Sequence, residues 1–165
     1  MRAHRAIAAA LAVVGLIGMG QISAVAQEQS GCPKPSASEL RLARELNGLR
    51  EARDLRNLEL DRQLTAVADL HSREMAKEGR ARHTPMKTLA DRVTRWDSLG
   101  ESTLRATSVP NAINRLVRND AERSMLYNGD WRYLGIGITR KDGFLWVTVL
   151  NESRRDPGTT ITLSC

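Results

Sequence analysis

The stretch Asn119 to Leu150, NDAERSMLYNGDWRYLGIGITRKDGFLWVTVL, decides the fold. Its second half reads as a β-hairpin. Two apolar, β-branched and aromatic runs, Tyr133 to Thr139 and Phe144 to Leu150, flank Lys141-Asp142-Gly143, and an Asp-Gly pair is what a tight hairpin turn prefers. The second run does not alternate: Phe144, Leu145, Trp146, Val147, Val149 and Leu150 are interrupted only by Thr148, the pattern of a strand covered on both faces. In the first run Leu134, Ile136 and Ile138 share one face, and Gly135 and Gly137 share the other. Glycine inside a strand marks close approach by another backbone. These residues predict a small central sheet with helices on both sides, and the preceding segment, Asp120 to Leu126, leads a polar helix end into it.

Upstream, Ser36 and Glu39 form a capping-box signature ahead of Leu42, Ala43, Leu46 and Leu49, which predicts a first helix ending near Ala52. Leu58 and Leu60 in the following connector point the same way and leave room for a short strand. Asp61 then caps a second helix with Leu64, Val67, Ala68, His71 and Met75 on one face and Gly79 past its end. From Arg80 to Thr107 the periodicity fades. The reading there is a long structured loop with one helical stretch from Lys87 to Arg95 and no strong strand, and loops of that size in a compact domain tend to carry function. Ser108 as a cap and Pro110 in the first turn start a third helix near Val109, with Ile113, Leu116 and Val117 facing inward. The tail turns at Asp156-Pro157-Gly158 and ends in a strand through Ile161 and Leu163. Trp96, Trp131 and Trp146 read as packing anchors.

At 165 residues, one domain is the expectation. Its N-terminus does not contribute to the core. Arg2 and Arg5 precede an uncharged run from Ala6 to Val25, and Ala24-Val25-Ala26 is an A-x-A cleavage signal. A membrane-spanning helix is the competing reading, but the run is rich in Ala and Gly and ends at the cleavage signal. Residues 1–26 are therefore expected to be a signal peptide, 27–38 a linker and 39–165 a single domain of a secreted or envelope protein with no remaining membrane span. A lipid anchor at Cys32 is disfavoured because Gln29-Ser30-Gly31 lacks the apolar residue such a signal requires. Removing Arg2 and Arg5 lowers the formal charge from +6 to +4. Acids and bases are interspersed and only 4% of residues are aromatic, which argues against a nucleic-acid partner and for a solvated surface, with a monomer as the default.

Cys32 and Cys165 are the only cysteines, and in an exported protein they are expected to pair, tying the two ends together. In the chain-entropy account such a closure stabilises by about 5 kcal/mol. Unpaired thiols or an intermolecular bridge are the alternatives, since spacing alone does not fix connectivity. No H-E-x-x-H, G-x-S-x-G, P-loop or dinucleotide fingerprint occurs, and Ser72 beside His71 on a helix makes a poor nucleophile and base pair.

The order of these features resembles the bacterial branch of the CAP superfamily, the cysteine-rich secretory, antigen 5 and pathogenesis-related 1 proteins. Leu46-Asn47 with Arg50 is similar to the family's opening "LN..R", and His71-Ser72 with Met75-Ala76 to its "HS..MA". His83-Thr84 stands where the family has "HT", Gly100-Glu101 where it has "GEN", and Glu122 to Ile138 follows "HRxNILNPxFxEVGIGV" without gaps. The resemblance implies an α+β fold, a three-layer α-β-α sandwich around a small antiparallel sheet, in a secreted protein. It also implies a cleft in which two histidines and acidic residues can hold a divalent metal.

Two departures alter that expectation. Glu122 occupies the second histidine position and Ser102 replaces the asparagine after Glu101. A carboxylate in place of imidazole weakens the case for zinc and favours harder cations. His83, Glu101 and Glu122 are the cleft or metal candidates. Each has a plainer reading: an exposed loop histidine, a solvent-facing glutamate, and a partner for Arg118 four residues earlier. His71, on an apolar helix face, is expected to be a hydrogen-bonded structural histidine. The leading functional expectation is a non-enzymatic domain that binds a lipid, sterol or envelope component through the His/Glu cleft. The alternative is a metal-assisted hydrolase using His83, Glu101 and Glu122, and a third is a structural domain with a degenerate cleft.

Overall fold

The computed structural model describes residues 34–93 and 96–153. The expected signal peptide, Cys32 and Cys165, and the turn and strand expected in the tail lie outside the described residues. Five helices and four strands follow in the order α1 (Ala37–Glu51), β1 (Glu59–Leu60), α2 (Arg62–Glu78), α3 (Met86–Arg92), β2 (Leu99–Ala106), α4 (Val109–Arg118), α5 (Asp120–Leu126), β3 (Tyr133–Lys141) and β4 (Phe144–Glu152). The hairpin forms as the sequence predicts. Asp142 and Gly143 both take positive φ, 51° and 76°, which suits a turn whose twist matches the flanking strands.

The sheet runs β1-β3-β4-β2, with β1 parallel to β3 and the other pairs antiparallel. On one face Leu134, Ile136, Val147 and Val149 pack against Leu42 and Leu46 of α1, Ala112 and Leu116 of α4 and Leu126 of α5. On the other, Leu150 and Tyr133 meet Leu64, Val67 and Ala68 of α2 and Leu89 of α3, and Trp146 meets Met75 and Ala76. The result is an α-β-α sandwich. Gly135 and Gly137 let α2 lie directly on β3, since a Cβ at either position would overlap the backbone of Leu64 or of Ala68.

The strand β2 corrects the expectation of a loop without a strand. Gly100, Ser102, Leu104 and Ala106 turn inward while Leu99, Glu101, Thr103 and Arg105 alternate with them. Small inward residues gave a weak apolar signal, and β4 supplies the pairing that holds the segment extended. A second correction concerns Arg118 and Glu122. Asn119 is extended (φ −85°, ψ 123°), ends α4 and caps α5 by accepting from the amides of Ala121 and Glu122. The two side chains therefore belong to different helices, and no ion pair joins them among the described residues. Trp131 and Trp146 are each 4% exposed, whereas Trp96 is 36% exposed and so does not anchor packing as the other two do.

Glu39 does more than complete the capping box with Ser36. Its Oε2 accepts from the Ser36 amide at 2.6 Å and its Oε1 from the Ile138 amide at 3.0 Å, where β3 runs beyond the two-residue β1. Asp69 of α2 comes up beside it. Burial first, and then the Glu39 carboxylate, push Asp69 up to about 6 from an ordinary 3.8, against the pull of Arg73. A carboxyl whose folded pKa is raised contributes stability that is fully present below 3.8 and is lost as pH rises through about 6. Asp69→Asn is thus expected to stabilise the fold near pH 7.5 by about 1 kcal/mol, discounted for partial exposure. Urea midpoints should show the gap between variant and wild type closing as pH falls to about 4. A gap independent of pH would mean that the carboxyl's charge is not the cause.

Candidate functional site

The site lies where the loop after α2 crosses the first residues of β2. Glu101 is on the α2 side of the sheet, because it pairs with Leu150 of that face, and its side chain is only 5% exposed. A carboxylate there requires donors. Thr84 provides two: its amide donates to Oε2 at 2.7 Å and its hydroxyl to Oε1 at 2.6 Å. His83 Nδ1 lies 3.2 Å from Oε2, which makes that nitrogen the donor and leaves Nε2 as the ring's free polar atom, on a side chain 62% exposed.

The preceding residue is held from the other side. His71 is fully buried; its Nε2 lies 2.8 Å from the Arg82 carbonyl and its Nδ1 3.2 Å from Glu74 Oε2. Three consecutive loop residues, Arg82, His83 and Thr84, are therefore fastened by His71 and Glu101. Sequence reasoning set His71 apart as a core residue and missed that it shares this assembly. The spacing of His71 to Glu74, one helical turn, was the available signal.

Around the fastened loop opens a cleft of about 750 Å³ lined by Glu74, Lys77, Glu78, Arg82, His83, Thr84, Pro85, Thr88 and Arg92. Its carboxylates are already engaged. Arg82 grips Glu78 through Nε at 2.8 Å and Nη2 at 2.7 Å, and Arg92 Nη2 holds Glu74 at 2.8 Å. Burial works to raise Glu74, but hydrogen bonds from Arg92 and His71 outweigh it and keep the carboxyl below its usual range. The bond from Arg82 likewise holds Glu78 low. Lys77 is exposed on the rim, so the wall presents a cation and the His83 ring to any occupant.

Glu122 does not join this cleft. It lines a small pocket on the opposite side of the sheet together with Ser102, Leu116, Val149 and Asn151. The two positions where this chain departs from the expected pattern thus sit together, behind the strand that carries Glu101. A divalent ion generally takes three or more protein donors. His71 and His83 both approach Glu101, at 4.0 and 3.2 Å, but both Glu101 oxygens and both His71 nitrogens are already bonded, and among the described residues no group of three His, Cys, Asp or Glu is arranged to hold a metal ion. The donor set therefore does not fit a resident metal.

Removing the fastener and removing the histidine should have different consequences. Glu101→Gln puts an amide against the Thr84 donors and is expected to destabilise by about 2 kcal/mol in urea unfolding. His83→Ala, at an exposed ring, should shift stability by less than about 0.5 kcal/mol. Equal losses in the two variants would contradict the fastener role.

Fold and site define a small α-β-α domain with a polar cleft beside an extended sheet edge. The family model for the cysteine-rich secretory protein family, CAP, matches residues 43–150, and the chain belongs to that family. No curated protein sequence matches it. Among solved structures, an outer surface protein of Borrelia burgdorferi superposes with a TM-score of 0.65 at 20% identity, covering 70% of this chain and 92% of the other. An extracellular protein containing an SCP domain from Bacillus anthracis gives 0.60 at 22% identity, with 70% of this chain and 40% of that one covered. A cysteine-rich secretory protein from Staphylococcus aureus gives 0.59 at 16%, covering 70% and 38%. The chain thus spans about two fifths of the length of the latter two. At these identities the likeness is one of fold. No helix among the described residues is long and apolar enough to cross a membrane.

Proposed function

We propose that this CAP domain is a non-enzymatic binding module that acts outside the cytoplasm, with a polar component of the cell envelope as its ligand. The observation that carries the reading is the closure of the His83, Thr84 and Glu101 cluster. The buried carboxylate of the cluster is engaged by its own loop, so the cluster presents a fixed surface with the His83 ring turned outward. The cleft walls are Lys, Arg, Glu, His and Thr with Pro85, and their charged and hydroxyl groups suit a hydroxylated or charged polymer. Similarity to extracellular and outer-surface proteins supports the location.

One feature favours hydrolysis as a second reading. A buried carboxylate on Nδ1 of an exposed histidine is the pairing of a general base, which here would act on water, since the Thr84 hydroxyl already donates to Glu101. Sedimentation with purified peptidoglycan sacculi separates the two. The binding reading expects the chain in the pellet, at least tenfold less in Lys77→Ala and in His83→Ala, with no fragments released. Fragments in the supernatant that vanish with His83→Ala would establish the hydrolase. Pelleting with sterol vesicles in place of sacculi, unaffected by either variant, would overturn both.

A further inference from the structure

We propose that the groove along the outer edge of β2 is a binding site for a phosphate-type oxyanion, gripped by Arg80, Arg105 and Arg115. This groove is distinct from the His83 cleft, has room for about 350 Å³, and is built from three separate elements. Arg80 follows the left-handed cap Gly79 that ends α2, Arg105 extends from β2, and Arg115 reaches in from α4 on the far side of the sheet. β2 is an edge strand, paired only with β4 among the described residues, so nothing there separates the two helical layers at this place.

Three guanidinium groups lining one small groove repel one another unless an anion sits between them. No carboxylate lines the groove. Glu78, whose charge Arg80 influences, is held by Nε and Nη2 of Arg82. Arg105 is preorganised: it sits opposite Trp146 in the strand register and stacks 4.3 Å from the Phe144 ring centre and 5.7 Å from that of Trp146. Trp146 also lines the groove; it is 4% exposed, and its indole N–H has no hydrogen-bond partner. Buried indole donors ordinarily find an acceptor. Thr103 adds a hydroxyl to the same wall. A planar carboxylate occupies one guanidinium fork, whereas a tetrahedral dianion presents enough oxygens to meet three, so a phosphate group matches this donor set.

The phosphate could be carried by a soluble compound or by a phospholipid head group, and two measurements on the full chain separate them. Pyrophosphate is titrated calorimetrically at low salt, and the chain is sedimented with phosphatidylcholine vesicles with and without phosphatidic acid. Saturable pyrophosphate binding is expected, weakened about tenfold in Arg115→Gln and in Arg80→Gln, both at exposed residues, and further in the pair. Arg41→Gln with Arg44→Gln, which removes two exposed charges from α1, should leave it unchanged. Sedimentation with phosphatidic acid that pyrophosphate reverses identifies the lipid source; pyrophosphate binding without sedimentation identifies a soluble one. Absence of saturable pyrophosphate binding, vesicle binding that pyrophosphate does not reverse, or equal weakening by the α1 pair would overturn the proposal.

Discussion

Arg50→Ala is expected to destabilise the fold by about 3–5 kcal/mol, seen as a large fall in the urea midpoint. Arg50 is fully buried at the end of α1, and no ion pair to a carboxylate is found for it among the described residues. Its Nε donates to the Arg56 carbonyl at 3.0 Å, and its Nη1 donates to the carbonyls of Leu126 at 2.6 Å and Asn128 at 3.0 Å. Burial, and then the charge of Arg132, hold its pKa below the ordinary value. One side chain thus joins the last turn of α1, the loop before β1 and the loop that delivers β3. Truncation strands the buried Leu126 carbonyl and the half-buried carbonyls of Arg56 and Asn128, and opens a cavity. Arg50→Lys should recover only part of the loss, because a single ammonium lacks the fork that spans these acceptors. A loss below about 1 kcal/mol for Arg50→Ala would show that the loops hold themselves in place.

Gly137→Ala is expected to cost about 3 kcal/mol or more, because the added methyl overlaps the Ala68 carbonyl and the Asp69 amide, and backbone can yield only if α2 moves as a body. Gly135→Ala meets Leu64 in the same way, and the double variant should lose cooperative unfolding. Gly48→Ala is the contrasting case. It lies within α1 with nothing near the new methyl, so helix propensity alone applies and a gain of about 0.5–1 kcal/mol is expected. Similar destabilisation in all three single variants would contradict the contact between α2 and β3.

These residues also mark how far the sequence could be read. The hairpin, the caps of α1, α2 and α4 and the glycine face of β3 were legible because local chemistry and the final packing agree there. β2 was not, since Gly100, Ser102 and Ala106 carry little β-propensity and the strand exists through its register with β4. Motif order placed His83 near Glu101, and the structure brings the two into contact. It could not place Glu122, because an ungapped match fixes position along the chain and says nothing about which face of a sheet a side chain reaches. The break at Asn119 decided that question through one residue's backbone conformation. His71 is the buried, hydrogen-bonded histidine that the apolar helix face predicts, but its hold on the loop shows only where the Arg82 carbonyl returns to it. The "LN..R" resemblance had a mechanical meaning that only the structure reveals, with Asn47 bracketing both backbone groups of Leu58 while Arg50 gathers the loops.

The most direct test is calorimetric titration of zinc into the metal-stripped chain and into Glu122→His. Glu101 is saturated and Glu122 faces the other side of the sheet, so neither protein should show saturable one-site binding, and restoring a histidine at position 122 should change nothing. Tight zinc binding by Glu122→His that disappears when His83→Ala is added would place residue 122 in the His83 cleft and contradict the site described above.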